Sequence, residues 1–228
     1  MASAELKTNT IFARFAAETG NQPLSASFFA RSPAAVAPEL IGTMLVSRAG
    51  EAITAGIIVE AEAYLGCDDP GSHAATRGIT TRNEVMYREP GTVYVYFTYG
   101  SHFMLNLVCE REGTAGAVLV RALEPTRGID AMAVRRGDRP HRELCSGPGK
   151  LAQALGVDLS DNGTRLGEGR LVVYDSARPV EGDIGVSGRI GLSVGHELEL
   201  RYFLIGSPWL SKGRPGLRQS PSRKERGT

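Results

Sequence analysis

One predicted strand constrains the fold of this chain more than any other segment. Residues 58–66 read IVEAEAYLG, and the β-branched and apolar residues around them predict a strand over residues 52–65. Alternate side chains of a strand share a face, so Glu60, Glu62 and Tyr64 point to the same side of the sheet. A face that packs into a core seldom carries carboxylates, because a buried unpaired charge is costly. The sheet is therefore expected to present one face to a polar site.

A second segment adds aromatic and amide groups. Residues 94–106 read YVYFTYGSHFMLN and predict a β-hairpin that turns at Gly100. Asn106 stands alone in the apolar second strand of this hairpin. His73 belongs to residues 68–82, whose Gly, Thr, Asp and Pro content predicts a loop held by a rigid scaffold. With the carboxylates, these groups are the parts of a pocket that holds a flat polar ring beside a water-activating base.

The remaining pattern favours one mixed α/β domain in which strands outweigh helices. A chain of 228 residues suits a single substantial core. Helices are predicted at residues 128–136 and 149–155, and the last strands at residues 170–174, 188–190 and 198–205. We expect the domain to span residues 23–211, with poorly ordered ends at residues 1–22 and 212–228.

Composition limits the classes of partner and compartment. No apolar run reaches the roughly 18 residues that a membrane span requires, and no signal peptide pattern is present. The three cysteines are scattered without CxxC spacing, which argues for a reducing compartment and against a zinc site. We expect a cytoplasmic protein. The formal net charge is only +1, but the front is acidic and the middle and tail are basic, which suits either nucleic acid or an ordinary solvated surface.

Glu62 and Arg121 form the first candidate pair. A carboxylate is a suitable base for deprotonating water near neutral pH. Arg121 lies alone in the apolar run AVLVRALEP, where an arginine would be costly without a carboxylate partner. A catalytic pair and a purely structural ion pair within the sheet are equally compatible with this pattern.

The aromatic residues also have two interpretations. Rings on both faces of a bound base gain about 1–3 kcal/mol per base from stacking, which favours Tyr64, His73 and Tyr96 as a base-binding set. Tyrosines at strand spacing are otherwise ordinary core residues. Tyr99 precedes the hairpin turn, where it suits a wedge between stacked bases or a ring folded back on its own hairpin. Lys150 ends the run SGPGK at a helix start, which suits a phosphate contact or a plain helix cap.

The chain resembles the alkyladenine (3-methyladenine) DNA glycosylase family from about residue 28 to residue 211. Blocks in fixed order carry the resemblance: FFARSP, IVEAEAYLG, TTRN, PGTVYVYFTYG, LVRALEP, ELCSGPGKL, RIG and GSPWLS. The resemblance implies a single mixed α/β domain built on a curved, mostly antiparallel sheet flanked by helices. It also implies a protruding β-hairpin that meets DNA.

The resemblance further implies roles for single residues. Glu62 would activate water, Arg121 would hold Glu62 with that water, and the backbone carbonyl of Ile190 would be a further water ligand. The residues that would hold or select the flipped base are Tyr64, His73, Tyr96 and Asn106, the last by crowding the exocyclic amino group of guanine. The residues that would contact DNA are the wedge Tyr99, with Thr80, Met86, Arg77 and Lys150.

The function expected from these residues is that of a monofunctional DNA glycosylase. It would extrude an alkylated or deaminated purine from double-stranded DNA, hydrolyse the N-glycosidic bond and leave an abasic site for base excision repair. No lysine lies in the pocket motifs, so no strand cleavage is expected, and no metal or organic cofactor is implied. We expect a monomer without an obligate protein partner. The alternatives are a non-catalytic nucleic-acid-binding module of the same fold and a nucleoside N-glycoside hydrolase.

Overall fold

The computed structural model describes residues 16–17, 20–50, 52–75, 78–98, 100–176 and 183–213. Eight strands join in one sheet. They are β1 (Met44–Ala49), β2 (Ala52–Tyr64), β3 (Val93–Thr98), β4 (His102–Val108), β5 (Ala117–Arg127), β6 (Leu171–Tyr174), β7 (Ile184–Ser187) and β8 (Arg201–Leu204). The helices are α1 (Ala26–Phe29), α2 (Pro33–Leu40), α3 (Ile129–Arg136) and α4 (Pro148–Leu155), with short 3-10 turns at Glu84–Tyr87, His141–Glu143 and Leu159–Asp161.

Strand β2 is the centre of the sheet. The main path runs β3-β4-β5-β2-β1-β6, and every strand pairing is antiparallel. Along one edge β2 pairs with β5, while its other edge is shared by β1 and, at residues 60–62, by β8. Its pairing with β5 shifts register between Ala55 and Gly56 and again around Glu60. Such bulges bend a strand and increase its twist, in keeping with the curled sheet.

The two faces of the sheet carry different chemistry. One face is apolar and packs with α2 and α4 in the main core. The core residues on this face alternate along the strands: Ala61, Ala63, Val93, Val95, Leu105, Leu107, Val118 and Val120. The other alternating set includes Glu60, Glu62 and Tyr94. The prediction that β2 presents its carboxylates to a single face agrees with this division.

Helix α4 lies close against β4 because of one glycine. Pro148 occupies the first turn, where its missing N–H is not needed. A Cβ atom on Gly149 would lie 2.8 Å from Cγ of His102, so only glycine fits without displacing that ring. Gly156 then ends the helix in the left-handed conformation, with φ of 69°. The helix start predicted from SGPGK is confirmed, and Lys150 lies in its first turn.

The predicted fold class, a single mixed α/β domain with a curved antiparallel sheet, is confirmed. One strand prediction was wrong: the strand lies at Ile184–Ser187 instead of residues 188–190. Strands β3 and β4 pair as predicted up to Thr98 and His102, but Tyr99 lies outside the described residues. The predicted disordered ends, residues 1–22 and 212–228, lie largely outside them as well. Within the described ranges, no helix is both long and apolar enough to cross a membrane.

Candidate active site

A cavity of about 300 Å³ opens on the polar face of the sheet. Four neighbouring strands contribute alternate residues to it, so strand periodicity alone brings them together. The strand residues that line the cavity are Tyr64, Tyr94, Tyr96, Thr98, Met104, Asn106, Ala117, Leu119 and Arg121. The loop and helix residues that complete it are Gly71, His73, Arg82, Met86, Pro148, Ile190, Gly191 and Leu192.

Glu62 is fully buried, directly behind residues that line this cavity. Its Oε2 accepts hydrogen bonds from the Tyr64 hydroxyl at 3.0 Å and from Nη1 of Arg121 at 3.0 Å. Its Oε1 accepts the backbone N–H of Ile190 at 2.7 Å. All three donors belong to residues that line the cavity. The carboxylate is therefore oriented from three directions, behind the lining of the cavity.

Arg121 is shared between two carboxylates. Its Nε donates to Glu60 at 2.9 Å and its Nη1 donates to Glu62. Burial alone would lower the pKa of Arg121, but the Glu62 and Glu60 carboxylates raise it above its ordinary value. The buried arginine thus carries its charge next to Glu62, as the apolar run around it led us to expect.

The aromatic wall is formed by Tyr64, His73, Tyr94 and Tyr96. The His73 ring lies edge-on to Tyr96, with 4.6 Å between their centres, and its Nδ1 is 3.0 Å from the Tyr94 hydroxyl. Burial, assisted by the positive charge of Arg82, lowers the pKa of His73 to about 4. The imidazole is therefore neutral at neutral pH, and the wall of the cavity gains no positive charge from it.

Asn106 is buried at the cavity wall, between Tyr94 on β3 and Leu119 on β5. Its amide nitrogen donates to the carbonyls of Tyr94 at 3.1 Å and Met104 at 3.3 Å. These bonds fix the side chain, so that it cannot easily swing out of the way of a ligand.

The residues predicted to contact DNA do not form one cluster and differ in their exposure. Thr80 is exposed, and its backbone N–H donates to Oδ1 of Asn83 at 2.6 Å. Met86 is buried and lines the cavity, so any ligand it touches lies inside. Lys150 is half-buried, and its Nζ lies 3.3 Å from Oγ of Ser146. Arg77, like Tyr99, is outside the described residues.

Sequence reasoning gave no role to several residues around the site. Arg189 and Arg201 are both buried, Arg189 beside Asp69 and Arg201 beside Glu60. Arg201 offered no signal comparable to that of Arg121, because Glu197 and Glu199 precede it closely in the sequence. Arg82 lines the cavity, although the block TTRN in which it stands predicts no role for it. Among the described residues, no group of His, Cys, Asp or Glu could hold a metal ion.

The fold and the cavity together define a mixed α/β protein with a carboxylate–arginine pair beside an aromatic pocket. The sequence profile of the family described as methylpurine-DNA glycosylase (MPG) matches residues 27–208. The chain therefore belongs to the methylpurine-DNA glycosylase family, which confirms the resemblance found in the sequence blocks.

Three relatives illustrate the match. A protein of Chlorobium phaeovibrioides is 46% identical over 193 residues, which cover 84% of this chain and 98% of the relative. One from Rhodopseudomonas palustris BisB5 is 50% identical over 190 residues, 83% of this chain and 90% of the relative. One from Chlorobaculum tepidum is 43% identical over 206 residues, which cover 90% of this chain and 97% of the relative. Each carries the name "Putative 3-methyladenine DNA glycosylase".

Proposed function

We propose that the protein hydrolyses the N-glycosidic bond of an alkylated or deaminated purine in double-stranded DNA, with Glu62 as the base that activates water. The observation that carries this proposal is the carboxylate of Glu62, held by three residues that all line one aromatic cavity. Family membership and the names of the relatives support the class of reaction.

Among the described residues, the hydrogen bonds of Glu62 leave one acceptor lone pair of its carboxylate unused. Each carboxylate oxygen has two lone pairs. Within the described residues, Oε2 accepts two donors and Oε1 accepts one, the N–H of Ile190. A water bound at the second lone pair of Oε1 would give up a proton to Glu62 as it attacks the sugar C1′, and the purine would leave with the bonding electrons. The carbonyl of Ile190 would be the second ligand of this water.

The cavity suits a single base better than a longer ligand. Its volume of about 300 Å³ is at the lower end of small-molecule sites. Tyr64, His73 and Tyr96 would stack on the extruded purine, and a neutral His73 would not repel a cationic alkylated base. Asn106 would crowd the exocyclic amino group of normal guanine.

DNA outside the cavity would be held by separate residues. Tyr99 would fill the gap that the extruded nucleotide leaves, and Thr80, Arg77 and Lys150 would contact the strand near the lesion. Met86, which lines the cavity, would contact the extruded nucleotide itself. No lysine lines the cavity in the described part of the chain, so we expect no Schiff base and no strand cleavage. The product would be a free base and an intact abasic strand.

The test compares wild type with Glu62→Gln in single-turnover excision from a duplex with one alkylated purine. Loss of a general base costs about 10²–10⁴ in rate, so we expect a loss of that size with lesion binding retained. Glu168→Gln is the matched control, because its side chain is 70% exposed. Near-normal excision by Glu62→Gln would refute the mechanism.

Two outcomes would favour the alternatives. Binding without base release across alkylated, deaminated and etheno-modified duplexes would indicate a non-catalytic nucleic-acid-binding module. Activity on free nucleosides that does not depend on salt would indicate a nucleoside hydrolase, because binding to DNA phosphates weakens as salt rises.

A further inference from the structure

A second buried carboxylate lies two residues before Glu62 and binds the other side of Arg121. Glu60 is fully buried and accepts four hydrogen bonds. Its Oε1 accepts Nε of Arg121 at 2.9 Å, Nε of Arg201 at 2.8 Å and the Ser211 hydroxyl at 2.7 Å. Its Oε2 accepts the backbone N–H of Ser211 at 2.7 Å. Of the three residues that donate these bonds, Arg121 alone lines the cavity.

These contacts fix Arg121 on three sides. Its Nε donates to Glu60, its Nη2 to Oγ of Ser211 at 3.3 Å and its Nη1 to Glu62. A guanidinium is a planar fork whose donors point in fixed directions. With Glu60 and Ser211 engaged, Arg121 offers Glu62 one hydrogen bond instead of a two-pronged clamp.

The cluster balances its charges. Two carboxylates, Glu60 and Glu62, face two guanidinium groups, Arg121 and Arg201, and all four residues are buried. Burial tends to raise the pKa of Glu60, but Arg121 and Arg201 outweigh it and hold that pKa below its ordinary value. Glu60 therefore stays ionised, and it competes with Glu62 for the charge of Arg121.

We propose that Glu60 is a positioning residue that, supported by Arg201, draws part of Arg121 away from Glu62 and so keeps Glu62 basic enough to activate water. The physical reason is that full pairing with a guanidinium stabilises the ionised carboxylate and makes it a weaker base. This inference rests on the proposed role of Glu62 as the general base.

The other ionisable groups around Glu62 are either paired with a partner or neutral. Tyr64 on β2 donates to it, and Arg201 on β8 is its register partner across the strands. Arg189, from the segment after β7, is paired with Asp69. His73, on the loop across the cavity, is kept neutral by burial and by Arg82. Removing the charge of Glu60 or of Arg201 is thus the direct way to change the net charge of the groups around Glu62.

The test measures how single-turnover excision depends on pH for a duplex with N7-methylguanine. This purine is already cationic and needs no proton to leave. The fall in rate at low pH, the acidic limb of the profile, therefore reports protonation of the group that activates water. Glu60→Gln leaves the cluster with a net positive charge, and the limb should move to lower pH by about one unit, with a lower plateau rate. Arg201→Gln leaves it net negative, and the limb should move to higher pH.

Two further variants separate charge from structural support. Arg201→Lys keeps the cation, so its limb should stay near that of wild type. The double variant Glu60→Gln/Arg201→Gln restores neutrality and should bring the limb back toward wild type. A purely structural brace would lower the rate or the melting temperature of each variant without moving the limb.

The outcomes are distinct. Opposite shifts of the limb in the two single variants support the inference, and unmoved limbs or shifts in one direction overturn it. If Glu60→Gln does not fold, Arg201→Gln against Arg201→Lys decides the question. Wild type that releases no base would refute the proposed function itself, whereas active wild type with unmoved limbs would refute only the role of Glu60.

Discussion

The guanidinium of Arg189 lies 4.6 Å from the centre of the Tyr64 ring. Arg189 is fully buried and donates to both oxygens of Asp69, at 2.5 and 2.6 Å. It also donates to the carbonyls of Ala63 at 2.9 Å and Gly195 at 3.0 Å. The ion pair therefore connects β2 to the segment that carries Ile190, and it packs against the tyrosine that binds Glu62.

We predict that Asp69→Asn lowers the free energy of unfolding by about 3–5 kcal/mol, because it leaves Arg189 as an uncompensated buried cation. Burial tends to raise the pKa of Asp69, but Arg189 holds it below its ordinary value. The stabilisation from this carboxylate is thus present above its unfolded pKa of about 3.9 and is lost as the pH falls below it. Urea unfolding at neutral pH measures the change. Asp68→Asn, at an exposed neighbour, should be nearly neutral, and equal losses in both variants would contradict the prediction.

Tyr64→Phe should separate the hydroxyl of Tyr64 from its ring. The variant keeps the stacking surface but loses the donor to Oε2 of Glu62. Because this hydrogen bond stabilises the ionised form of the carboxylate, its loss should move the acidic limb of single-turnover excision to higher pH. Tyr94→Phe is the matched control, since its hydroxyl lies next to His73 and not Glu62. Identical profiles for the two variants would argue against this prediction.

His73 gives a pH dependence of stability. Its pKa is lowered to about 4 by burial and by Arg82, against about 6.5 for an unfolded chain. Between these values the unfolded state binds the extra proton, so stability falls as the pH drops from about 6.5 toward 4. We expect wild type to lose more stability between pH 7 and pH 5 than His73→Gln. His102→Gln, at an exposed ring, should behave like wild type. Titration of the His73 ring near pH 6.5 by NMR would show this expectation to be wrong.

The parts of the site that follow a local period were predictable from the sequence. Alternation placed Glu60, Glu62 and Tyr64 on one face of β2, and a lone arginine in an apolar strand indicated that Arg121 has an acidic partner. These arguments need only the two-residue repeat of a strand and the cost of burying a charge.

The parts that depend on long-range pairing were not predictable. Arg201 and Ser211 reach Glu60 across 141 and 151 residues, because β8 happens to pair with the second half of β2. Residues 188–190 were predicted as a strand, but the N–H of Ile190 bonds to the side chain of Glu62 instead of a strand. Strand propensity predicts an extended backbone. It does not identify the partner that accepts the hydrogen bond of each backbone N–H group.

Arg82 supplies a further prediction, about DNA binding. Its side chain is exposed, lines the cavity and places its guanidinium carbon 5.2 Å from the centre of the Tyr96 ring. A nucleotide extruded into the cavity would carry its phosphates past this position. Arg82→Ala should therefore weaken binding to lesion duplexes of every sequence and reduce the slope of log affinity against log salt by about one.

Arg88→Ala is the matched control, because Arg88 is also exposed but is paired with Glu84 at 3.2 Å. Its salt slope should equal that of wild type. Affinities measured by fluorescence anisotropy at several salt concentrations provide the comparison. An unchanged slope for Arg82→Ala would mean that this arginine contacts no phosphate.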